Sequence, residues 1–368
     1  MKLFRCSCPD RPLLHFENTS CGRCGRLVGF APERLAVGPF MPVEGDEGVW
    51  ADDAGGRHRP CANRVQHGAC NWTVPAADPE PFCRACRTNL LVPDLSVAAN
   101  LPPWRALEAA KRRCLFTLME LGLPLEGAAG VPPLRFRFMT ARDSGSNFER
   151  PLPGVEPVIT GHENGVVTID LAEADVVART RTQVAMAEGY RTPLGHFRHE
   201  TGHYVWTLLD ALAPDFAERF RAAFGDERAD YGAALRAHYD AGPAPDWRTR
   251  HVSAYASAHP WEDWAETWAH YLHIVDTLET QQSYVSVSAL APPAAGRVAL
   301  PFAIGSGRDA DGGDFDAIVA LWVEATLMLN GLNRSMGLPD PYPFVLNAAA
   351  IDKLRFVHAE LLALHGTD

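Results

Sequence analysis

The sequence lacks the long apolar runs that secretion signals and membrane spans require. The first residues, from Met1 to Cys8, contain no apolar stretch of signal-peptide length, and no later stretch approaches the ~20 apolar residues of a membrane helix. We therefore expect a cytoplasmic protein with no membrane partner. In a reducing cytoplasm cysteines serve metal binding or catalysis more often than disulfides.

A basic surface is also missing from the sequence. The chain has 34 Lys and Arg against 45 Asp and Glu, for a formal net charge of −11, and residues 1–95 contain eleven basic and eleven acidic side chains. Because acidic proteins without a segregated basic patch repel phosphate, we expect no nucleic-acid partner. A transcription or RNA factor is therefore disfavoured.

Cysteine, in contrast, is concentrated near the amino terminus. Eight of the nine cysteines lie before residue 87, and they include two Cys-x-x-Cys knuckles, which place two sulfurs on one tight turn. Two such sets of four predict two structural Cys₄ zinc-ribbon sites. The first set is Cys6, Cys8, Cys21 and Cys24, and the second is Cys61, Cys70, Cys83 and Cys86.

Several alternatives stay open for these cysteines. The same ligands could hold an iron–sulfur cluster, disulfides are disfavoured by the absence of a secretion signal, and the two sets could interleave so that Cys6 and Cys8 join Cys83 and Cys86. Three histidines could each replace a thiolate, although the plain interpretation makes them surface residues: His15, His58 and His67. Metal must supply much of the folding free energy of this small, Pro- and Gly-rich segment.

A Pro-punctuated connector over residues 90–103 predicts a boundary between a domain of residues 1–95 and one of residues 96–368. We expect a helix from Trp104 to about Leu121 with Cys114 in its core face, a strand over residues 134–139, and a hairpin over 158–171 with an Asn-Gly turn. The strand at 165–171 is the candidate edge for pairing with substrate. Residues 279–316 are predicted to be a flap over the cleft or an inert insertion, and helices are expected at 315–332 and 347–364.

The sequence His199-Glu200-x-x-His203 lies in a segment that predicts a helix from Thr192-Pro193 to just before Pro214. Residues four apart share one helix face, so two imidazoles at this spacing can bind one Zn²⁺. Glu200 would then reach a zinc-activated water as general base.

A third ligand is expected on a second helix that Pro260 opens. Four ionisable side chains share one face of it, and we interpret that face as metal-facing and not as solvated: Glu262, Glu266, His270 and His273. If this helix is rotated, His273 could be the ligand in place of Glu262.

Here the sequence resembles the gluzincin metallopeptidases, whose third ligand is a Glu on a second helix. Glu262-Asp263-Trp264-Ala265-Glu266 and Tyr255 match the spacing of the lethal-factor type of toxin protease. The resemblance implies that Glu262 binds zinc, that Glu266 orients a zinc-bound histidine, and that Tyr255 donates a hydrogen bond to the oxyanion.

A broader resemblance covers nearly the whole chain. The chain is similar to an uncharacterised bacterial family of zinc-binding metallopeptidases with an amino-terminal zinc-ribbon domain. Segments that carry the likeness include Cys21-Gly22-Arg23-Cys24, Cys70-Asn71-Trp72, Phe197-Arg198-His199-Glu200, His259-Pro260-Trp261-Glu262 and Leu332-Asn333-Arg334-Ser335-Met336-Gly337. The residues at the metal positions match the family.

Together these observations predict an α+β protein with a zincin-like catalytic domain, a small mixed or antiparallel sheet and a mostly helical carboxy-terminal part, preceded by a Cys-rich zinc-ribbon domain. The expected function is a zinc metallopeptidase with one catalytic and two structural Zn²⁺ ions that acts on a peptide or protein substrate. The zinc ribbon offers a site for a protein partner. The alternative is a zinc-stabilised adaptor protein with an idle metal centre, in which Glu200 would have no task.

Overall fold

The computed structural model describes residues 2–140, 161–185, 190–287 and 314–365. The chain forms two compact units. The first takes the residues up to 119 together with 135–161 and 166–175, as far as they are described, and the second takes 120–134, 162–165 and the residues from 176 onward. The predicted division after residue 95 stays a prediction, but the contacts group the long helix that follows it with the cysteine-rich segment.

The amino-terminal part of the first unit is built from short antiparallel strands. Its elements are β1 (Phe4–Arg5), β2 (Leu13–Leu14), β3 (Leu27–Ala31), β4 (Ala36–Pro42), β5 (Trp50–Asp52), β6 (Arg57–Pro60), helix α1 (Ala62–His67) and β7 (Thr73–Pro75). Strands β3 to β7 form one five-stranded sheet in chain order, and β1 pairs with β2. Aromatic rings fill the core beside this sheet: Phe16, Phe30, Trp72 and Phe116.

A second sheet, most of whose strands belong to the first unit, has strand order β10-β11-β9-β8. Its strands are β8 (Asn89–Leu91), β9 (Arg135–Met139), β10 (Gly161–Glu163) and β11 (Val166–Asp170), and β9 runs parallel to both of its neighbours. The predicted alternation is present in β9, where Phe136 and Phe138 are fully buried. Helix α2 (Leu101–Glu120) places Cys114 in the core, as expected for an isolated cysteine.

Two expectations about these strands change in the structure. Strand β11 lies between β9 and β10, so the hypothesis that it is the free edge for substrate is wrong; β10 occupies that edge among the described strands. The Asn-Gly turn is present, with Asn164 and Gly165 at φ of 48° and 78°. Residues 158–160 of the predicted hairpin lie outside the described residues.

The second unit is helical. Its helices are α3 (Val176–Ala185), α4 (Pro193–Leu212), α5 (Phe216–Phe224), α6 (Tyr231–Ala241), α7 (Trp247–Arg250), α8 (Pro260–Val287), α9 (Phe315–Ser335) and α10 (Ala348–His365). Helix α4 begins as predicted, because the Thr192 hydroxyl accepts a hydrogen bond from the Gly195 N–H at 3.0 Å. The predicted loop start at residue 279 is wrong, because α8 continues to Val287. Residues 288–313 lie outside the described residues, and the flap hypothesis with them.

Helix α9 is long and apolar enough to cross a membrane by length and composition. Its most apolar 18-residue window has a mean hydropathy of 1.4, and 22% of that window is buried. The expectation that no stretch of the chain would approach a membrane span is therefore wrong. Core helices of water-soluble proteins pass the same test.

Helices α4 and α8 cross closely at Gly202. A Cβ atom at this position would lie 2.9 Å from Trp268 Cδ1 and 3.1 Å from Ala265 Cα, and the Trp264 indole N–H donates to the Gly202 carbonyl at 2.8 Å. The absence of a side chain is what lets the two helices approach.

We expect Gly202→Ala to destabilise the protein by about 1–3 kcal/mol, because the added methyl must displace the backbone of α8. Thermal and urea unfolding would measure the loss. Gly331→Ala in α9 is the matched control: no heavy atom lies within 4 Å of its Cβ position, so it should be neutral or stabilising by up to ~1 kcal/mol. Equal stabilities for the two variants would contradict the close approach.

Candidate metal centres

The first predicted cysteine set is assembled in the structure. The sulfurs of Cys6, Cys8, Cys21 and Cys24 lie within 4.8 Å of one another, and those of Cys6 and Cys24 are 3.7 Å apart. A tetrahedral zinc with Zn–S bonds of ~2.3 Å places its sulfurs ~3.8 Å apart. The backbone N–H groups of Cys24 and Arg23 point at the Cys21 sulfur and lower the pKa of its thiol to about 7. This knuckle favours the thiolate that a metal needs.

The second set is also assembled, and all four of its cysteines are buried. The sulfurs of Cys61, Cys70, Cys83 and Cys86 lie within 4.8 Å of one another, with those of Cys70 and Cys83 3.6 Å apart. All nine cysteines lie in the described residues and none forms a disulfide. The interleaved pairing is not the arrangement found.

None of the three histidines joins either cysteine set. The expectation that all three are surface residues is wrong for His58, which is 3% exposed. Its imidazole is 3.2 Å from an Asp52 carboxylate oxygen and 3.3 Å from the Thr73 hydroxyl. It is a hydrogen-bonded core residue of the strand layer.

Two arginines surround the second cysteine set. Arg112 on α2 is buried and donates to the Ala69 carbonyl. Burial disfavours its charge, yet negative charge on Cys70 and Glu108 raises the pKa of this guanidinium above its usual range. Arg64 donates to the Val28 carbonyl at 2.8 Å; burial lowers the pKa of its guanidinium, and negative charge on Cys70 opposes this. These cations would offset the excess negative charge of four thiolates around one divalent ion.

The third centre joins α4 and α8. His199 and His203 lie one turn apart on α4, with ring centroids 5.2 Å apart, and α8 brings Glu262 against them. His199 Nε2 is 3.0 Å from Glu262 Oε2, and His203 Nε2 is 3.8 Å from Glu262 Oε1. Three ligands of this chemistry are what a catalytic zinc site uses.

The atoms of this third centre fit a metal ion. Glu262 is 1% exposed and its Oε2 atom is buried without a hydrogen-bond partner among the described residues. An imidazole lone pair and a carboxylate oxygen 3.0 Å apart repel unless a cation lies between them. Tetrahedral zinc with ligand bonds of ~2.0–2.1 Å separates its ligand atoms by ~3.4 Å, so little movement would accommodate the ion.

Glu266 has the position that the resemblance implied. His199 Nδ1 is 2.8 Å from Glu266 Oε1, and the Ser253 hydroxyl donates to Glu266 Oε2 at 2.6 Å. With its Nδ1–H donated to a carboxylate, the His199 ring directs the Nε2 lone pair at the metal position. His203 is held differently: its ring stacks on Trp261 at 5.0 Å and 8°, and its Nδ1 has no partner among the described residues.

The other two ionisable residues of the α8 face point elsewhere. His270 Nδ1 is 2.7 Å from the Tyr342 hydroxyl, and His273 is hydrogen-bonded through Nδ1 to Arg198. Glu262, not His273, therefore joins His199 and His203 as a candidate ligand in this structure.

Burial and neighbouring charges set the proton affinities of the third centre. Burial raises the pKa of the Glu200 carboxyl, and the Glu262 charge adds to this while His199 opposes it. Burial alone would raise the pKa of Glu262 as well, but the adjacent imidazoles of His199 and His203 lower it to about 2. Two carboxylates with pKa values pushed apart suit two tasks, a proton acceptor and a metal ligand.

Tyr255 lies beside the centre. Its ring centroid is 6.0 Å from that of His199, and its hydroxyl has no hydrogen-bond partner among the described residues. The phenol is thus available to donate to a bound molecule. Burial raises its pKa above the usual range, so it stays protonated.

Sequence reasoning missed two residues of this site. The Tyr231 hydroxyl donates to Glu262 Oε1 at 2.6 Å. The His162 ring lies 6.2 Å from that of His203 and accepts the Gly165 N–H on Nε2 at 3.1 Å, while burial lowers its pKa to about 4. Neither residue has a fixed sequence spacing to the His-Glu-x-x-His helix that could have signalled it.

Comparison with known proteins agrees with this geometry. The family model described as "Putative zinc-binding metallo-peptidase" matches residues 100–360. The chain belongs to this family. A second family model, a zinc-ribbon domain, matches residues 3–97. Uncharacterized proteins of Mycobacterium tuberculosis and Mycobacterium bovis are 42% identical over 363 residues, which cover 97% of this chain and 94% of theirs. No solved structure matches the chain significantly.

The family and the cysteine clusters together show that this chain of the metallopeptidase family binds zinc. The predicted fold class is confirmed as well: helix and sheet are mixed, and a cysteine-rich zinc-ribbon region precedes a helical catalytic domain.

Proposed function

We propose that this protein is a gluzincin-like zinc peptidase that hydrolyses peptide bonds, with one zinc ion between α4 and α8 and one in each cysteine centre. The observation that carries the proposal is the buried carboxylate of Glu200, next to His199 and within electrostatic reach of Glu262. A binding site does not need a carboxylate in this place, whereas hydrolysis needs a proton acceptor there. An adaptor with an idle metal centre would leave Glu200 without a task.

His199, His203 and Glu262 would hold the catalytic ion. When bound, zinc supplies a lowered water pKa and polarises a carbonyl. Glu200 then accepts the proton of the attacking water and returns it to the amine that leaves. Tyr255 donates a hydrogen bond to the carbonyl oxygen as negative charge develops on it, and Glu266 keeps His199 in the Nδ1–H tautomer.

The proposal is tested by zinc content per chain, from elemental analysis, and by cleavage of casein and a peptide library. We expect three zinc ions in the wild-type protein and two in His199→Ala, because the other two centres use cysteines in the other unit. Cleavage should be present in the wild type and lost in the variant. Two zinc ions in both proteins with equal cleavage would contradict the proposal.

A further inference from the structure

A hydrogen bond distinguishes the two carboxylate oxygens of Glu262. Oε1 accepts from the Tyr231 hydroxyl at 2.6 Å and is 3.8 Å from His203 Nε2, whereas Oε2 has no hydrogen-bond partner among the described residues and is 3.0 Å from His199 Nε2. At 1% exposure, Glu262 has little contact with solvent that could replace the phenol. Oε1 therefore has a hydrogen-bond donor, whereas Oε2 faces the metal position.

Hydrogen bonds of His259 connect the residues just before α6 to the start of α8. His259 Nε2 is 3.1 Å from the Ala229 carbonyl, and its Nδ1 is 3.0 Å from the Trp261 N–H. Because the carbonyl can only accept and the backbone N–H can only donate, His259 must carry its proton on Nε2. Tyr231 is the first residue of α6, and its ring packs edge-on against His259 at 5.3 Å. This connection holds the phenol where it meets Glu262.

We propose that Tyr231 is a positioning residue of the catalytic zinc centre, which makes Glu262 bind through Oε2 alone and so keeps one coordination position open. A carboxylate that binds with both oxygens would occupy the position that a hydrolytic site reserves for water or substrate. The hydrogen bond to Oε1 opposes that mode, because the carboxylate would have to rotate away from the phenol. This inference rests on the metal centre of the proposed function, but not on peptide hydrolysis itself.

The two tyrosines at the centre therefore have different tasks. The Tyr231 hydroxyl is bonded to a ligand residue, whereas the Tyr255 hydroxyl has no hydrogen-bond partner among the described residues and its ring lies against His199. Tyr255 suits contact with a bound molecule. Tyr231 acts through Glu262.

The test compares Tyr231→Phe with wild type in two measurements on the full-length protein. The first is a chelator titration that follows loss of the zinc ion absent from His199→Ala. The second is the visible absorption of a hybrid with Zn²⁺ in the cysteine centres and Co²⁺ in the third centre. The Phe side chain keeps the ring packing, and Tyr231 is 42% exposed, so the fold should survive. Tyr239→Phe, on the same helix, removes a hydroxyl that is not the one bonded to Glu262 and serves as the matched control.

We expect Tyr231→Phe to lower zinc affinity about 10-fold or more, in the range typical of lost partners of metal ligands. We also expect its Co²⁺ absorption to change in intensity and band position, because a second carboxylate oxygen on the ion distorts the tetrahedral ligand field. Tyr239→Phe should match wild type in both measurements. Unchanged affinity and spectrum in Tyr231→Phe, or equal changes in Tyr239→Phe, would overturn the proposed role of Tyr231 but not the proposed function. A wild-type protein with no third metal would overturn both the role of Tyr231 and the proposed function.

Discussion

Glu200→Gln should abolish peptide hydrolysis while three zinc ions remain bound. Glutamine keeps the shape of the side chain but cannot accept a proton, and a positioned general base contributes about 10²–10⁴-fold to rate. The zinc ions should stay because Glu200 is not among the residues that converge on the metal position. The measurement is kcat/KM on a peptide selected from the library, with zinc content from elemental analysis.

Glu218→Gln on α5 is the control for this experiment. Glu218 is exposed, and its replacement by Gln removes the same charge away from the centre. The kcat/KM of this variant should therefore equal that of wild type. A Glu200→Gln protein that retains more than a tenth of the wild-type rate would remove Glu200 from the proposed chemistry. Zinc loss in that variant would instead indicate that Glu200 has a structural role.

Cys83→Ser should release one zinc ion and destabilise the amino-terminal region of the first unit. Cys83 is fully buried among the sulfurs of the second centre, and structural zinc contributes about 10–16 kcal/mol of apparent binding free energy in small zinc-dependent peptides. The core beside this centre rests on a few aromatic rings. Calorimetry should therefore show a separate unfolding transition at lower temperature, and elemental analysis should find two zinc ions.

Cys114→Ala is the matched control for the cysteine experiment. Cys114 is fully buried in α2 but belongs to neither cysteine set, so zinc content should stay at three and stability should fall by about 1–2 kcal/mol for the lost sulfur. The metal interpretation of the second centre would be refuted by a Cys83→Ser protein with three zinc ions and the wild-type melting temperature.

Helix α4 shows what local pattern can predict. Thr192 and Pro193 marked its start, and the interval between His199 and His203 placed both imidazoles on one face, because α-helical geometry repeats nearly every four residues. Strand β11 shows what local pattern cannot predict. Its position after the Asn-Gly turn predicted a strand correctly, but whether that strand is an edge depends on β9, which pairs with it from a separate part of the chain.

The sequence by itself predicted the two cysteine sets, the His-Glu-x-x-His helix and Glu200 as the candidate proton acceptor, since each depends on residue type and on spacing along the chain. The tertiary structure placed Glu262, and not His273, beside His199 and His203, and it alone revealed Tyr231 and His162. The physical reason is that helix rotation and the approach of separate elements follow from side-chain packing over the whole unit. Gly202, where α4 meets α8, is one such contact.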